Sequence, residues 1–157
     1  MSLPSPFDMT SLAESVRHDI QSCRWSVINV GDDEPPFCYT VGLWETLRQP
    51  ELIVFGLPTP VMLSILNFLG EKARTGLNLA APQLVPGAGS RFGVQLRPIH
   101  EANLARYFGF ALGFYEEPFP ATQVLWPDKS GKFPDDRGFS KEFLGIQPKL
   151  KYLTGAQ

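Results

Sequence analysis

A chain of 157 residues, 43% apolar and 19% charged, has the balance of one globular domain large enough to fold without a disulfide or metal staple. A formal net charge of -2 with no cluster of Lys or Arg argues against nucleic acid as a partner. No apolar run approaches the roughly 20 residues that span a bilayer, and Met1-Ser-Leu-Pro-Ser-Pro has neither the basic nor the apolar region of a secretory signal, so a cytoplasmic protein away from membranes is expected.

In chain order, residues 1–9 read as a flexible lead. Ser11 with Glu14 has the spacing of a capping box, and Leu12, Val16, Ile20 and Cys23 continue an apolar stripe at helical spacing, which predicts an amphipathic first helix. Trp25 to Val30 is rich in strand formers. Gly31-Asp-Asp-Glu-Pro-Pro36 is a polar turn whose prolines cannot donate to a sheet ladder. Phe37, Tyr39, Val41 and Leu43 alternate with Cys38, Thr40 and Gly42, the period of a strand, and a hairpin between these two segments is expected.

Trp44 to Pro50 reads as a loop, and Glu51 to Gly56 as an apolar strand covered on both faces at the centre of the sheet. Thr59 offers an N-cap and Pro60 the first helical position, ahead of a stripe of Val61, Met62, Ile65, Leu66, Leu69 and Ala73 that Gly76 would stop. Residues 77–91 hold two Pro and two Gly and read as a long loop. A strand follows over 92–97, ended by Pro98. Next comes one helix over 100–115, with Gly109 and Gly113 permitting close approach to the sheet, and then a strand over 121–126. Asp128 and Gly131 bracket a turn, and residues 148–157 form a loosely ordered tail. The order predicts a single α+β domain over 1–157, with a mixed, largely antiparallel sheet or small barrel flanked by about three helices.

The chemistry-bearing residues are few. Cys23 and Cys38 lack Cys-x-x-Cys spacing and companion ligands, so both read as buried, unlinked thiols and no metal site is expected. His18 points off its helical stripe, and His100 reads as a cap at a strand-to-helix junction. No Gly-x-Ser-x-Gly elbow or Ser/His/acid spacing signals a hydrolase. Asp32, Asp33 and Glu34 read as a solvated acidic turn. Gly87-Ala-Gly89 lacks the Lys and helix of a phosphate loop, and the 128–133 stretch places Lys where a calcium loop needs oxygen ligands. What remains is a polar and aromatic set at strand ends: Tyr39, Thr40, Trp44, Glu45, Trp126 and Asp128. If the two strand ends adjoin, Trp44 and Trp126 would wall a ligand site and Glu45 and Asp128 would orient the ligand. Otherwise Asp128 caps its own turn and the rings fill the core.

The segments Trp25-Ser-Val-Ile, Phe37-Cys-Tyr-Thr-Val-Gly-Leu43, Pro50-Glu-Leu-Ile-Val-Phe-Gly-Leu-Pro58 and Gln123-Val-Leu-Trp-Pro-Asp-Lys-Ser-Gly-Lys-Phe-Pro134 together resemble the bacterial family catalogued as domain of unknown function 4262, over about residues 23–147. The resemblance implies no reaction and transfers no catalytic residue. The chain departs from the family pattern at Arg24, where Gly is expected before the Trp.

Function therefore reads as a small-molecule-binding or interaction module without catalytic machinery of its own, with a small molecule or a protein as partner. The alternative is a flavin-binding oxidoreductase relative, because the order of hairpin, Tyr-Thr-Val-Gly strand, loop and Pro-led apolar strand is similar to that of flavin-binding split barrels. That likeness is a fold-level analogy. The sequence assigns neither a definite cofactor nor an oligomeric state.

Overall fold

The computed structural model describes residues 6–88 and 91–153. In chain order it contains α1 (Pro6–Cys23), β1 (Ser26–Val30), β2 (Phe37–Val41), α2 (Leu43–Leu47), β3 (Glu51–Phe55), α3 (Thr59–Arg74), β4 (Gln83–Val85) and β5 (Val94–Ile99). Then follow a 3-10 turn over Glu101–Asn103, α4 (Leu104–Tyr107), α5 (Gly109–Tyr115), β6 (Ala121–Leu125) and a second 3-10 turn over Lys141–Phe143. The strands form one open sheet in the order β1-β2-β3-β6-β5-β4, antiparallel throughout except for the central pair β3 and β6, which run parallel. Of the two architectures expected, the open sheet is the one found.

Alternation along the two central strands divides the core into two layers. Leu52, Val54, Val124 and Trp126 face the side covered by α3, through Met62, Ile65, Leu66 and Leu69. Ile53, Phe55 and Ala121 face the other side, under Val16 and Ile20 of α1, Leu104 of α4, Ala111 of α5 and Phe108 between those two helices. β3 is buried along its whole length, as a strand covered on both faces must be. On α3, Gly70 has no side chain because the Trp25 ring lies where one would be: an added Cβ would stand 2.5 Å from the Trp25 ring.

Several boundaries differ from the sequence reading. The first helix begins at Pro6, so Ser11 and Glu14 lie inside it and form no capping box; Pro is tolerated in a first turn, where its missing N–H has no helical partner. α3 starts at Thr59 with Pro58 as its cap, and Val61 sits on the exposed side of the helix while the rest of the stripe is buried. The 77–91 loop contains β4, an edge strand paired with β5, and Pro98 lies within β5 opposite Thr122 rather than ending it. The helix expected over 100–115 is broken at Phe108, whose backbone (φ -115°, ψ 40°) leaves the helical region. Gly109 and Gly113 have open space around them and do not mediate packing. The tail is docked along its described part: Leu150 is buried, Tyr152 bridges to Ile99, and Leu153 N–H donates to the Pro98 carbonyl. Cys38 is buried, which pushes its thiol up to about 11, but Cys23 is exposed because α1 ends there and its stripe runs out; both are free.

At Arg24 the turn that Gly would make is made anyway. Arg24 adopts φ 79°, in the left-handed region, while its N–H closes the end of α1 on the Ile20 carbonyl. A side chain there costs about 1–2 kcal/mol of backbone strain, of which the greater freedom of Gly in the unfolded chain takes back part. Arg24→Gly is expected to stabilise the domain by about 0.5–1 kcal/mol. A urea midpoint equal to or below that of the unsubstituted protein would contradict this.

Candidate functional site

Two groups of residues carry the polar chemistry of the sheet, and they lie at opposite ends of the parallel pair. At the start of β3, Glu51 is completely buried. Its carboxylate accepts hydrogen bonds from the Thr40 hydroxyl (2.8 Å), the backbone amides of Gly42 (3.0 Å), Leu43 (3.2 Å) and Trp44 (3.1 Å), and the Tyr115 hydroxyl (2.5 Å). Three successive amides at the start of α2 thus converge on one anion, which the positive end of the helix also favours. Burial pushes the Glu51 carboxyl above its usual value, outweighing the hydrogen bonds from Tyr115, Thr40, Trp44 and Gly42 that pull it down. Burial and the neighbouring Glu51 charge likewise raise the Tyr115 hydroxyl well above the ordinary tyrosine value. This carboxylate also explains why Trp44 to Leu47, expected as loop, is helical: the acid that caps the helix lies downstream on the next strand. Glu51 was missed as a polar centre. The signal that could have found it is a lone acid heading a run otherwise fit for full burial, since a buried charge needs partners.

Tyr39, Thr40 and Trp44 all belong to this end. The Tyr39 hydroxyl accepts from the Phe110 amide (3.2 Å) and its ring lies 4.8 Å from that of Phe108, with burial pushing the hydroxyl up to about 12. Thr40 Oγ1 also accepts from the Leu52 amide (2.8 Å). Trp44 is half-buried, with the Arg48 guanidinium 5.1 Å from its ring, and Glu45 is exposed on α2. All of the buried polar groups here are satisfied, and the cluster reads as support for α2.

Trp126 and Asp128 lie elsewhere. Trp44 packs on the α1 face and Trp126 on the α3 face, so the two rings do not wall one site. Alternation from β2 would have put Trp44 on the α3 side. Gly42, at φ 122°, ends the alternation and turns the chain into α2. Asp128 takes the turn-capping role: its oxygens accept from the amides of Ser130 (2.9 Å), Lys132 (2.9 Å) and Ser140 (2.8 Å), pinning the 127–132 turn to the following segment.

Although burial raises the Asp128 carboxyl, those amides and the Lys132 charge outweigh it and hold the group below the ordinary aspartate value. A carboxyl depressed in the folded chain adds stability above the ordinary range, and the contribution is lost as pH falls through the folded value. The turn is expected to hold at neutral pH and loosen only in acid below about pH 4. Amide proton shifts of Ser130, Lys132 and Ser140 should titrate together there, and a shared midpoint above the ordinary aspartate value would refute the assignment.

Beyond the C-terminal ends of β3 and β6 lies a cleft of about 640 Å³, in the position where open sheets with parallel strands commonly take ligands. Gly56 and Leu57 leave β3 on one side of it, and Trp126 to Lys129 leave β6 on the other. Arg91, Phe92 and Phe143 complete its walls. Trp126 is held rigidly: its indole N–H donates to the Phe55 carbonyl (2.7 Å), and its backbone exchanges two hydrogen bonds with the Gln147 side chain, each 2.9 Å. Phe143 meets it edge-on with ring centroids 5.3 Å apart. The strap bearing Phe143 and Ile146 crosses β3 only because Gly56, at φ 80°, has no Cβ, which would stand 2.3 Å from the Ile146 carbonyl oxygen. A smaller cavity of about 100 Å³ shares Leu57, Trp126 and Pro127.

A second cleft, of about 450 Å³, opens at the opposite ends of the same strands between Pro50, Ile99, His100 and Phe119. Glu101 stands exposed at it, and its two other polar side chains are engaged within the fold. His100 Nδ1 accepts from the Ala102 amide (3.0 Å), which is the capping role expected of it, and the Thr122 hydroxyl donates to the Leu79 carbonyl (3.0 Å). His18 is exposed as expected, and Asp33 of the acidic turn pairs with Arg106 at 3.6 Å. No group of three metal-ligating side chains stands together among the described residues, and Gly89 of the Gly87-Ala-Gly89 stretch lies outside them. No helix among the described residues is long and apolar enough to cross a membrane.

Compared with known proteins, residues 19–140 match the model of a family described as Domain of unknown function (DUF4262). No curated protein and no solved structure matches the chain.

Proposed function

The chain belongs to that family of domains of unknown function, and we propose that it is a small-molecule-binding module whose ligand lies in the cleft beyond the C-terminal ends of β3 and β6. The observation that carries this reading is the Trp126 wall. Trp126, 6% exposed and locked by three hydrogen bonds, lines the cleft together with the Phe143 and Phe92 rings, and the three offer apolar contact at little cost in side-chain entropy, in a cavity of ligand size. Among the described residues no nucleophile with an adjacent base lines the cleft, and binding without chemistry by the chain's own side chains is the simpler reading.

Titration of the 15N-labelled protein with two flat probes, 1-naphthol and 1-naphthoate, tests this. Backbone amides of Leu57, Phe92, Trp126 and Lys129 are expected to shift. Shifts confined to Ile99, His100 and Phe119 would move the site to the opposite cleft, and no shift at either would remove the binding reading. The alternative of a flavin-dependent oxidoreductase relative is separated by the visible absorption of the purified protein, in which a bound flavin shows as yellow colour.

A further inference from the structure

Two cations share the proposed ligand cleft, and neither has an acidic partner among the described residues. Among the described residues, carboxylates pair with Arg74, Arg97, Arg106 and Lys149, but with neither Arg91 nor Lys129. Both of these are exposed and both line the cleft. The one acid in the cleft wall, Asp128, is turned inward onto three backbone amides. It forms no ion pair with either of them. The Arg91 guanidinium lies 4.7 Å from the centroid of the Phe92 ring, a cation–π contact that steadies it at the mouth while leaving its N–H edges available. In a chain of net charge -2, two unpaired cations beside an aromatic wall are a local departure from the overall balance.

Building on the ligand-cleft reading, we infer that the molecule bound there is a planar organic oxyanion, its flat body against the aromatic wall of Phe92, Phe143 and the rim of Trp126 and its carboxylate or phosphate between Arg91 and Lys129. Guanidinium and ammonium groups donate charge-assisted hydrogen bonds to both kinds of oxyanion. The aromatic wall selects the body and the cation pair selects the head group. A neutral molecule of the same shape gains only the first contribution.

The test uses one body with three head groups: 1-naphthol, 1-naphthoate and 1-naphthyl phosphate, each titrated into the 15N-labelled full chain near neutral pH. The better-fitting anion is expected to bind about tenfold more tightly than 1-naphthol, the scale of two partly exposed charge contacts. Which anion leads distinguishes a carboxylate ligand from a phosphate one. The double substitution Arg91→Gln, Lys129→Gln should bring the three affinities within about twofold of one another. Lys72→Gln with Arg74→Gln removes the same charge from the far end of α3 and should leave the preference intact, which separates local contacts from the overall field. Equal affinity for naphthol and both anions overturns the oxyanion inference while the ligand-cleft reading stands. A preference that survives Arg91→Gln, Lys129→Gln overturns it as well. Absence of cleft shifts with all three probes overturns both.

Discussion

Glu51→Ala is expected to cost about 3–5 kcal/mol of stability, because it removes the acceptor of five hydrogen bonds at a site with no access to solvent. The amides of Leu43 and Trp44 would be left at the head of α2 without a partner, the Gly42 amide would keep only the Tyr115 hydroxyl (2.9 Å), and the Tyr115 and Thr40 hydroxyls would each lose one. For a domain of this length such a loss lowers the melting temperature by roughly 6–20 °C. Glu51→Gln keeps the volume but turns a donor toward donors, since Oε1 faces Thr40 and Leu43 and Oε2 faces Gly42, Trp44 and Tyr115. It should recover only part of the loss. Chemical denaturation of the three proteins checks this: a midpoint for Glu51→Ala matching that of the unsubstituted chain would show that the buried carboxylate does not organise α2.

Phe55→Ala carries an expected cost of similar size, about 3–5 kcal/mol, for a different reason. The Phe55 ring is 1% exposed on the α1 face, 5.1 Å from the Phe37 ring on β2 and 5.1 Å from the Tyr107 ring on α4. Its removal leaves a cavity between elements distant in sequence, whose backbones cannot all collapse into it. The Phe55 carbonyl still accepts the Trp126 indole N–H, so the substitution empties the core without cutting the wall of the ligand cleft directly. An unchanged urea midpoint would overturn the placement of β3 at the sheet's centre. Amide shifts of Leu57 and Trp126 that stay near their original positions would show that the cleft is set by β6 and its hydrogen bonds, independently of packing on the other face.

The elements with strong local signals were legible in the sequence. The all-apolar run from Leu52 to Phe55 could only be a strand covered twice, and it is. The stripe from Met62 to Ala73 could only be a helix lying on a core, and Gly31 to Pro36 could only interrupt a hairpin. His100 as a cap and Asp128 as the anchor of its own turn also followed from local chemistry, because a side chain that satisfies backbone groups within a few residues leaves its signal in the spacing. α2 was hidden, since its capping acid comes from another strand and no spacing rule reaches across a tertiary contact. β4 was hidden as well, because a three-residue edge strand exists only by virtue of its partner β5.

The candidate site divides the same way. The residues with polar and aromatic chemistry could be chosen from the sequence, and Trp126 and Asp128 do stand at a ligand-sized cleft. Which of them meet could not be chosen. Trp44 follows β2 near the start of β3, whereas Trp126 follows the end of β6, and because β3 and β6 run parallel those positions fall at opposite ends of the sheet. A parallel pairing brought together by a long crossover leaves no mark in either strand's own residues. The sequence by itself determined which main segments are buried and which turn, and it marked Trp126 and Asp128 but not Arg91, Phe92, Lys129 or Phe143 as cleft residues. The tertiary structure alone decided that Arg91 would join Trp126 and Lys129 at one cleft, because that depends on strand direction and order, which are properties of the assembled sheet.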